Sequence, residues 1–246
     1  MGRSPKAELS RRHPLQRLDS PSKGFSGAIH VLGLISFYNS FKFLVDNPNI
    51  INESFGWHLQ YLTILGISIS TACFGFGLLA DITNSQTVFV VKNYLALVAA
   101  PIEIVISILY WGLRAIDETL VIPPDLPKPP ILADFGFHLF PAVVLTIDNL
   151  FLSPPWPTQP INPRASLVSL LMSTVIAFLY WFWIELCYSR NGFYPYPIFA
   201  LLSTPQRIVL FAGSGVIMWV IGVVLRGAYR SLNGVEDMRA VEKKVL

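Results

Sequence analysis

A histidine and a threonine, each inside an apolar segment, have side chains that could carry out chemistry together. His138 lies in the segment FGFHLFPAVVLTIDNLFLSP (135–154), and Thr63 lies in a separate apolar segment. A threonine hydroxyl is a weak nucleophile until a base accepts its proton, and a neutral imidazole can accept one near pH 7. Each residue also has a purely structural interpretation: His138 could bond a neighbouring helix, and Thr63 the carbonyl one turn back.

The composition indicates an integral membrane protein. Of the 246 residues, 53% are hydrophobic and only 13% are charged, whereas a soluble domain carries about 25% charged residues. The apolar residues are grouped in runs close to the ~20 residues that a helix needs to cross a bilayer. The predicted fold class is therefore an all-α polytopic membrane protein.

Six transmembrane helices are predicted. The connections IPPDLPKPP, SPPWPTQPINP and YPYP separate the later ones, because proline-rich runs cannot continue a helix. Asn39 and Lys42 interrupt the first helix and make it the least apolar. The six helices are predicted at residues 27–45, 59–81, 88–113, 131–153, 167–187 and 208–225.

Basic residues concentrate at the two ends of the chain. Six of the 18 lysines and arginines fall in residues 1–25, and five fall in residues 226–246. Basic segments beside membrane helices face the cytoplasm and its anionic lipids, so these tails do not require a nucleic-acid partner. An even number of spans then places both termini in the cytoplasm. The predicted organisation is a basic tail at 1–25, a transmembrane domain at 26–228 and a second basic tail at 229–246.

This topology sets the depth of each polar residue. The second helix descends from the outer face, so Thr63 lies about four residues, or ~6 Å, below its start. The fourth helix also descends from that face, and His138 lies about seven residues, or ~10 Å, below its start. The two residues are therefore predicted at similar depths on the same side of the membrane.

The acidic residues inside the spans are expected to play other roles. Asp148 lies ~15 Å along the helix from His138 and about 80° off its face, so it is a poor candidate to orient that histidine. We expect Asp148 to pair with polar groups near the inner ends of other helices, or to be solvated there. Glu103, near the middle of the third helix, is expected to be neutral or hydrogen-bonded.

Several polar residues approach the outer level of Thr63. They are Glu185, Lys42, Arg114 and Tyr188. They fit two interpretations, a polar chamber around the candidate site or an ordinary interfacial belt. The sequence predicts no cofactor and no metal, since it has neither an H-E-x-x-H zinc motif nor facing pairs of histidines at one depth.

Four short motifs, in this order along the chain, carry a family resemblance. They are QYLT ending at Thr63, WGL followed by DETLVIP (117–123), HLFP beginning at His138, and GFYPYP (192–197). The sequence resembles the family of androgen-induced membrane proteins, which includes the androgen-dependent TFPI-regulating protein. These are membrane threonine hydrolases that cleave fatty acid esters of hydroxy fatty acids. The DNLFLSP end of the fourth helix is similar to the fungal-type branch.

The resemblance implies specific catalytic roles. Thr63 would be the nucleophile and His138 its general base, acting on a lipid ester drawn from the bilayer. No motif identifies the oxyanion donors or a residue that orients His138. The endoplasmic reticulum is the expected membrane, with the plasma membrane as the alternative.

Two other classes of function fit the buried polar residues. A transporter or channel could use Glu103, Asp148 and Glu185 to line a polar path, although no internal repeat is present. A noncatalytic scaffold or lipid-sensing protein could use the stripe of small residues Thr63, Gly66, Ser70, Cys73 and Gly77 for close packing.

Overall fold

Long apolar helices make up most of the computed structural model, which describes residues 24–124, 128–153 and 164–233. These residues form eight α-helices and no strands. Short 3₁₀ turns lie at Ile50–Glu53, Trp57–Gln60 and Glu118–Leu120, and a π-helical turn lies at Asp148–Leu152. The helices are α1 (Gly24–Asp46), α2 (Leu62–Thr83), α3 (Gln86–Ile116), α4 (Ile131–His138), α5 (Phe140–Ile147), α6 (Ala165–Asn191), α7 (Pro197–Leu201) and α8 (Thr204–Asn233).

The predicted fold class is confirmed. Five helices, α1, α2, α3, α6 and α8, are each long and apolar enough to cross a membrane. The pair α4 and α5, extended by the π-helical turn to Leu152, supplies a sixth crossing if the two are counted as one broken span. The chain is an all-α polytopic membrane protein.

The prediction of one continuous fourth helix at 131–153 is wrong. The helix axis bends by 44° between α4 and the segment that begins at Phe140, and Leu139 has φ −132° and ψ −51°, away from helical values. Pro141 explains the break, because it has no N–H to donate to the Phe137 carbonyl and its ring would collide with that carbonyl. His138 therefore lies at the C-terminal end of a short helix and not within a long one.

Several other helix boundaries also differ from the predicted ones. The second helix starts at Leu62, because residues 57–60 form a 3₁₀ turn. The last helix runs from Thr204 to Asn233, beyond both predicted limits at 208 and 225. Most of the two predicted basic tails, residues 1–23 and 234–246, lies outside the described residues.

The stripe of small residues on α2 forms a helix-packing surface. α2 packs against α1 on one side and α3 on the other. Gly77 lies against the His30 ring of α1, where a Cβ atom would come within 2.5 Å of the imidazole. Gly66 similarly lies against Glu103 and Ile106 of α3, so the close helix packing expected of this stripe is present.

A buried charge cluster joins four elements at the end of the bundle that contains Gly24 and Asn233, called here the terminal end. Asp148 of the π-helical turn pairs with Lys92 of α3, and both side chains are fully buried. His30 of α1 bridges two carboxylates, with Nδ1 2.7 Å from Asp81 Oδ2 and Nε2 3.3 Å from Asp148 Oδ1. Lys92 also bonds Ser153. Asp148 thus pairs with other helices, as the sequence predicted.

Candidate functional site

Thr63 lies in the first turn of α2 at the end of the bundle opposite the terminal end, and it is 5% exposed. Two tyrosines from later in the chain hold this helix start. The Tyr180 hydroxyl donates to the Gln60 carbonyl at 2.8 Å and accepts from the Leu62 N–H at 3.0 Å. The Tyr196 hydroxyl lies 3.4 Å from Thr63 Oγ1. The nucleophile candidate is therefore fixed in place by α6 and by the loop before α7.

Tyr196 lies outside the membrane-spanning helices, in the G-F-Y-P-Y-P segment. Burial raises the pKa of its phenol above the ordinary value, so the hydroxyl stays protonated at neutral pH and remains able to donate a hydrogen bond. It lies beside the first N–H groups of α2, which carry partial positive charge. Negative charge that develops next to Thr63 would be stabilised by the Tyr196 hydroxyl and by these N–H groups.

His138 is held by a carboxylate from its own helix. Its Nδ1 lies 2.9 Å from Asp134 Oδ1, one helical turn earlier, and 3.2 Å from the Asp134 carbonyl. Its ring stacks on Tyr110, with centroids 3.5 Å apart and planes 5° apart. No described residue bonds Nε2, so this nitrogen remains available to accept a proton.

Asp134 is itself fixed by two further groups. The Tyr110 hydroxyl donates to Asp134 Oδ1 at 2.6 Å, and the Arg114 guanidinium pairs with Oδ2. The carboxylate is 1% exposed, and a buried ionised carboxylate needs such partners. Asp134 therefore stays oriented toward the histidine.

Two cavities meet at Thr63. The apolar cavity, of about 110 Å³, lies between α3, α6 and α8 and is lined mainly by aliphatic and aromatic side chains. The histidine cavity, of about 160 Å³, is lined by His138 and His58 among others. Thr63, Tyr110, Val121 and Tyr196 line both cavities. Thr63 and His138 share the second cavity without a hydrogen bond between them.

A second histidine also lines the histidine cavity. His58, in the 3₁₀ turn before α2, is 1% exposed, and its Nε2 lies 3.2 Å from Asn52 Oδ1. Its Nδ1 is buried without a hydrogen-bond partner in the described part of the chain. Burial lowers the pKa of His58, so its ring is neutral at pH 7.

The other polar residues predicted at this level do not form one chamber with Thr63. Lys42 pairs with Asp46 on the exposed face of α1. Glu185 pairs with Arg207 at 2.7 Å and accepts from the Tyr194 hydroxyl at 3.0 Å. Four residues were predicted at this level: Lys42, Arg114, Glu185 and Tyr188. Among them, Arg114 alone contacts the candidate site, through its ion pair with Asp134.

The acidic residues proposed for a transport path lie in separate contacts. Glu103 accepts a 2.9 Å hydrogen bond from Ser70 between α2 and α3. Asp148 belongs to the charge cluster at the terminal end, and Glu185 pairs with Arg207. No hydrogen bond or ion pair among the described residues links these three groups to one another.

Several residues of the site were not predicted from the sequence, among them Asp134 and Tyr196. Asp134 lies four residues before His138, and this spacing places both side chains on one helix face. The spacing alone therefore indicates that the two side chains can contact each other. Tyr196 lies in a motif that carries the family resemblance, but no local pattern connects it to Thr63, 133 residues earlier.

Comparison with known proteins places the chain in a family. Residues 25–230 match the family described as FAR-17a/AIG1-like protein, and the chain belongs to that family. It is also similar to the UPF0641 membrane protein PJ4664.05 of Schizosaccharomyces pombe, with 35% identity over 209 residues that cover 84% of this chain and 91% of the yeast protein. No solved structure matches the chain.

Proposed function

We propose that this protein is an integral membrane ester hydrolase in which Thr63 is the nucleophile and His138 the general base. One observation carries the proposal: a histidine already bonded to a buried carboxylate lines the same cavity as the threonine. Nucleophile, base and orienting acid are the three parts of a hydrolytic triad. Membership of the FAR-17a/AIG1-like family supports this assignment.

The geometry suggests how each group would act. Asp134 holds Nδ1 of His138, which leaves Nε2 to take the proton from the Thr63 hydroxyl. Thr63 Oγ1 then attacks the ester carbonyl carbon, and the oxyanion that forms would accept hydrogen bonds from Tyr196 and the start of α2. Because no direct Thr63–His138 bond is present, the two side chains would close on each other or on a bridging water when substrate binds.

The second half of the reaction regenerates the enzyme. When the oxyanion collapses, the bond to the alcohol oxygen breaks, and the alcohol leaves with the proton held by His138. A water molecule then attacks the acyl-threonine and gives its proton to His138. Collapse of this second intermediate releases the fatty acid and returns the proton to Thr63.

The two cavities fit the two halves of a lipid ester. The apolar cavity would take the acyl chain, because each buried methylene contributes about 0.8 kcal/mol. The histidine cavity would take the alcohol half. A fatty acid ester of a hydroxy fatty acid has this divided shape, and the family resemblance favours it as the substrate. The proposed membrane is the endoplasmic reticulum, with the plasma membrane as the alternative.

Hydrolysis by the purified protein tests the proposal. Wild type, Thr63→Ala and His138→Ala would be compared on a fatty acid ester of a hydroxy fatty acid, with release of fatty acid measured. Thr71→Ala is a matched control, because Thr71 lies on the same helix and its hydroxyl bonds the Ile67 carbonyl. We expect activity in wild type and the control and none above background in the two site variants, each with wild-type thermal stability. Full activity in Thr63→Ala would refute the mechanism.

A further inference from the structure

Arg226 of α8 is a buried cation with few partners. The residue is 9% exposed, and its Nη2 donates to Ser169 Oγ of α6 at 3.1 Å. None of the ion pairs in the described part of the chain includes it. A guanidinium has five N–H donors, and among the described residues the bond to Ser169 is its one hydrogen bond. Buried charges are otherwise paired, because removing an ion from water is costly.

Arg226 lines a small cavity between α3, α6, α8 and the π-helical turn. The other polar side chains at this cavity are Asn149, Ser169 and Ser173. The two serine hydroxyls and the Asn149 amide nitrogen each donate to a backbone carbonyl. The cavity of about 20 Å³ holds roughly one water-sized group. A larger ligand would therefore insert a single oxygen beside the guanidinium and leave the rest of its structure outside.

The position of Arg226 along the bundle fits a lipid headgroup. Ser169, its partner, lies four residues after the start of α6, or ~6 Å from the terminal end. This is the level at which long basic side chains reach lipid phosphates, and basic pockets between transmembrane helices bind anionic headgroups. Exposed apolar side chains of the two helices, including Leu171 and Val223, lie nearby along the sequence and would contact the acyl chains.

We propose that Arg226 binds the phosphate of an anionic membrane lipid at the terminal end of the bundle. One phosphate oxygen would accept from the guanidinium, whose N–H donors are held in a fixed planar fork, whereas a lysine presents a flexible point charge. The site lies at the opposite end of the bundle from Thr63. Lipid binding there is independent of the proposed hydrolysis and can be measured without it.

Lipid retention and thermal stability of the purified full-length protein test this site. Wild type, Arg226→Gln and Arg226→Lys would be measured in detergent with added phosphatidylglycerol, phosphatidylcholine or inorganic phosphate. Native mass spectrometry would count bound lipid, and a melting curve would give the shift in Tm. Arg190→Gln is the control, because Arg190 is an exposed arginine at the far end of α6.

The expected result is specific to the anionic lipid and to Arg226. Phosphatidylglycerol should remain bound to wild type and raise its Tm more than phosphatidylcholine does. Most of this difference should be lost in Arg226→Gln, part of it in Arg226→Lys, and none in the Arg190 control. If Arg226→Gln does not fold, lower lipid retention in Arg226→Lys decides the question. Equal retention in wild type and the folded Arg226 variants would overturn the proposal, as would an equal stabilisation by inorganic phosphate alone.

Discussion

Among the individual residues of the site, Asp134 connects His138 to the rest of the bundle. Its carboxylate accepts from His138 and Tyr110 and pairs with Arg114. A neutral imidazole can carry its proton on either nitrogen, and a carboxylate at Nδ1 favours the form whose Nε2 is free to act as base. The orienting acid therefore comes from the same helix as the base, and not from the aspartate ten residues after it.

Replacing the Asp134 carboxylate should lower kcat for ester hydrolysis more than it changes KM. Asp134→Asn keeps the size of the side chain but no longer favours the reactive form of His138, so we expect kcat to fall about 10²- to 10⁴-fold with a much smaller change in KM. Steady-state hydrolysis kinetics measure both. Glu185→Gln is the matched control, because Glu185 pairs with Arg207 away from the site. A similar loss of kcat in both variants would show a general effect of lost charge.

Thr63 and His138 could be proposed from the sequence, whereas the groups around them could not. Helix positions give the depth of a residue in the membrane, and both residues were predicted at one level. Depth does not give the direction in which a side chain points around the helix axis. Lys42 and Glu185 were therefore predicted near the same level, yet they lie in separate ion pairs.

The broken fourth span shows why sequence patterns locate helices better than their irregularities. The apolar run at 131–153 predicts one continuous helix, whereas the segment forms two helices bent by 44°. A proline within such a run can kink a helix or end it, and packing decides which occurs. α3 contains Pro101 and remains a single helix, whereas the chain bends before Pro141.

The charge cluster should stabilise the packing of α1, α2, α3 and the π-helical turn. Lys92→Met leaves Asp148 buried without its cation, and breaking such a pair costs about 3–5 kcal/mol of unfolding free energy. We expect a clear drop in Tm, measured by a melting curve in detergent. Lys42→Met removes an exposed pair and should have little effect.

A double replacement separates the effect of losing the Lys92–Asp148 ion pair from the effect of losing side-chain packing. The double variant Lys92→Met, Asp148→Leu removes both charges and should recover part of the lost stability, because no unpaired carboxylate remains. A double variant less stable than Lys92→Met alone would contradict this account of the cluster.

The apolar cavity should set the length of acyl chain that the enzyme accepts. Ile102 of α3 lies more than two helical turns along that helix from Tyr110, which lines both cavities. Ile102→Phe would fill part of the cavity. We expect it to reduce hydrolysis of long-chain esters more than short-chain ones, measured as the ratio of kcat/KM for the two. Ile108→Phe is the control, because Ile108 lies on the half-exposed face of the same helix, and it should leave this ratio unchanged. The same ratio in both variants would contradict the assignment of the apolar cavity to the acyl chain.

Across the whole molecule, hydropathy predicted where the apolar helices lie along the chain but not the neighbours of each helix. The apolar runs correspond to five helices that could cross a membrane, or to six spans if α4 and α5 are counted as one. The contacts of α3 with both α2 and α8 follow only from side-chain packing. The candidate site depends on those contacts, because its residues come from α2, α3, α4 and the loop before α7. For this reason Tyr196 could not be assigned from the sequence.

The predicted topology of six crossings has both ends of the chain on one side of the membrane. A tag on each terminus should be digested by added protease together, or protected together, in sealed membrane vesicles. The basic residues near both ends predict the cytoplasmic side, so both tags should be digested in vesicles whose cytoplasmic face is outward. Protection of one tag alone would contradict the six-span topology.

Labelling of Thr63 by a fluorophosphonate tests the central claim most directly. Such a probe forms a covalent bond with an activated hydroxyl, and peptide mass spectrometry identifies the modified residue. The account predicts an adduct on Thr63 of the wild-type protein, little adduct in His138→Ala, and loss of ester hydrolysis in proportion to labelling. An adduct on another residue that accompanies the loss of activity, or full hydrolysis by protein labelled at Thr63, would contradict it.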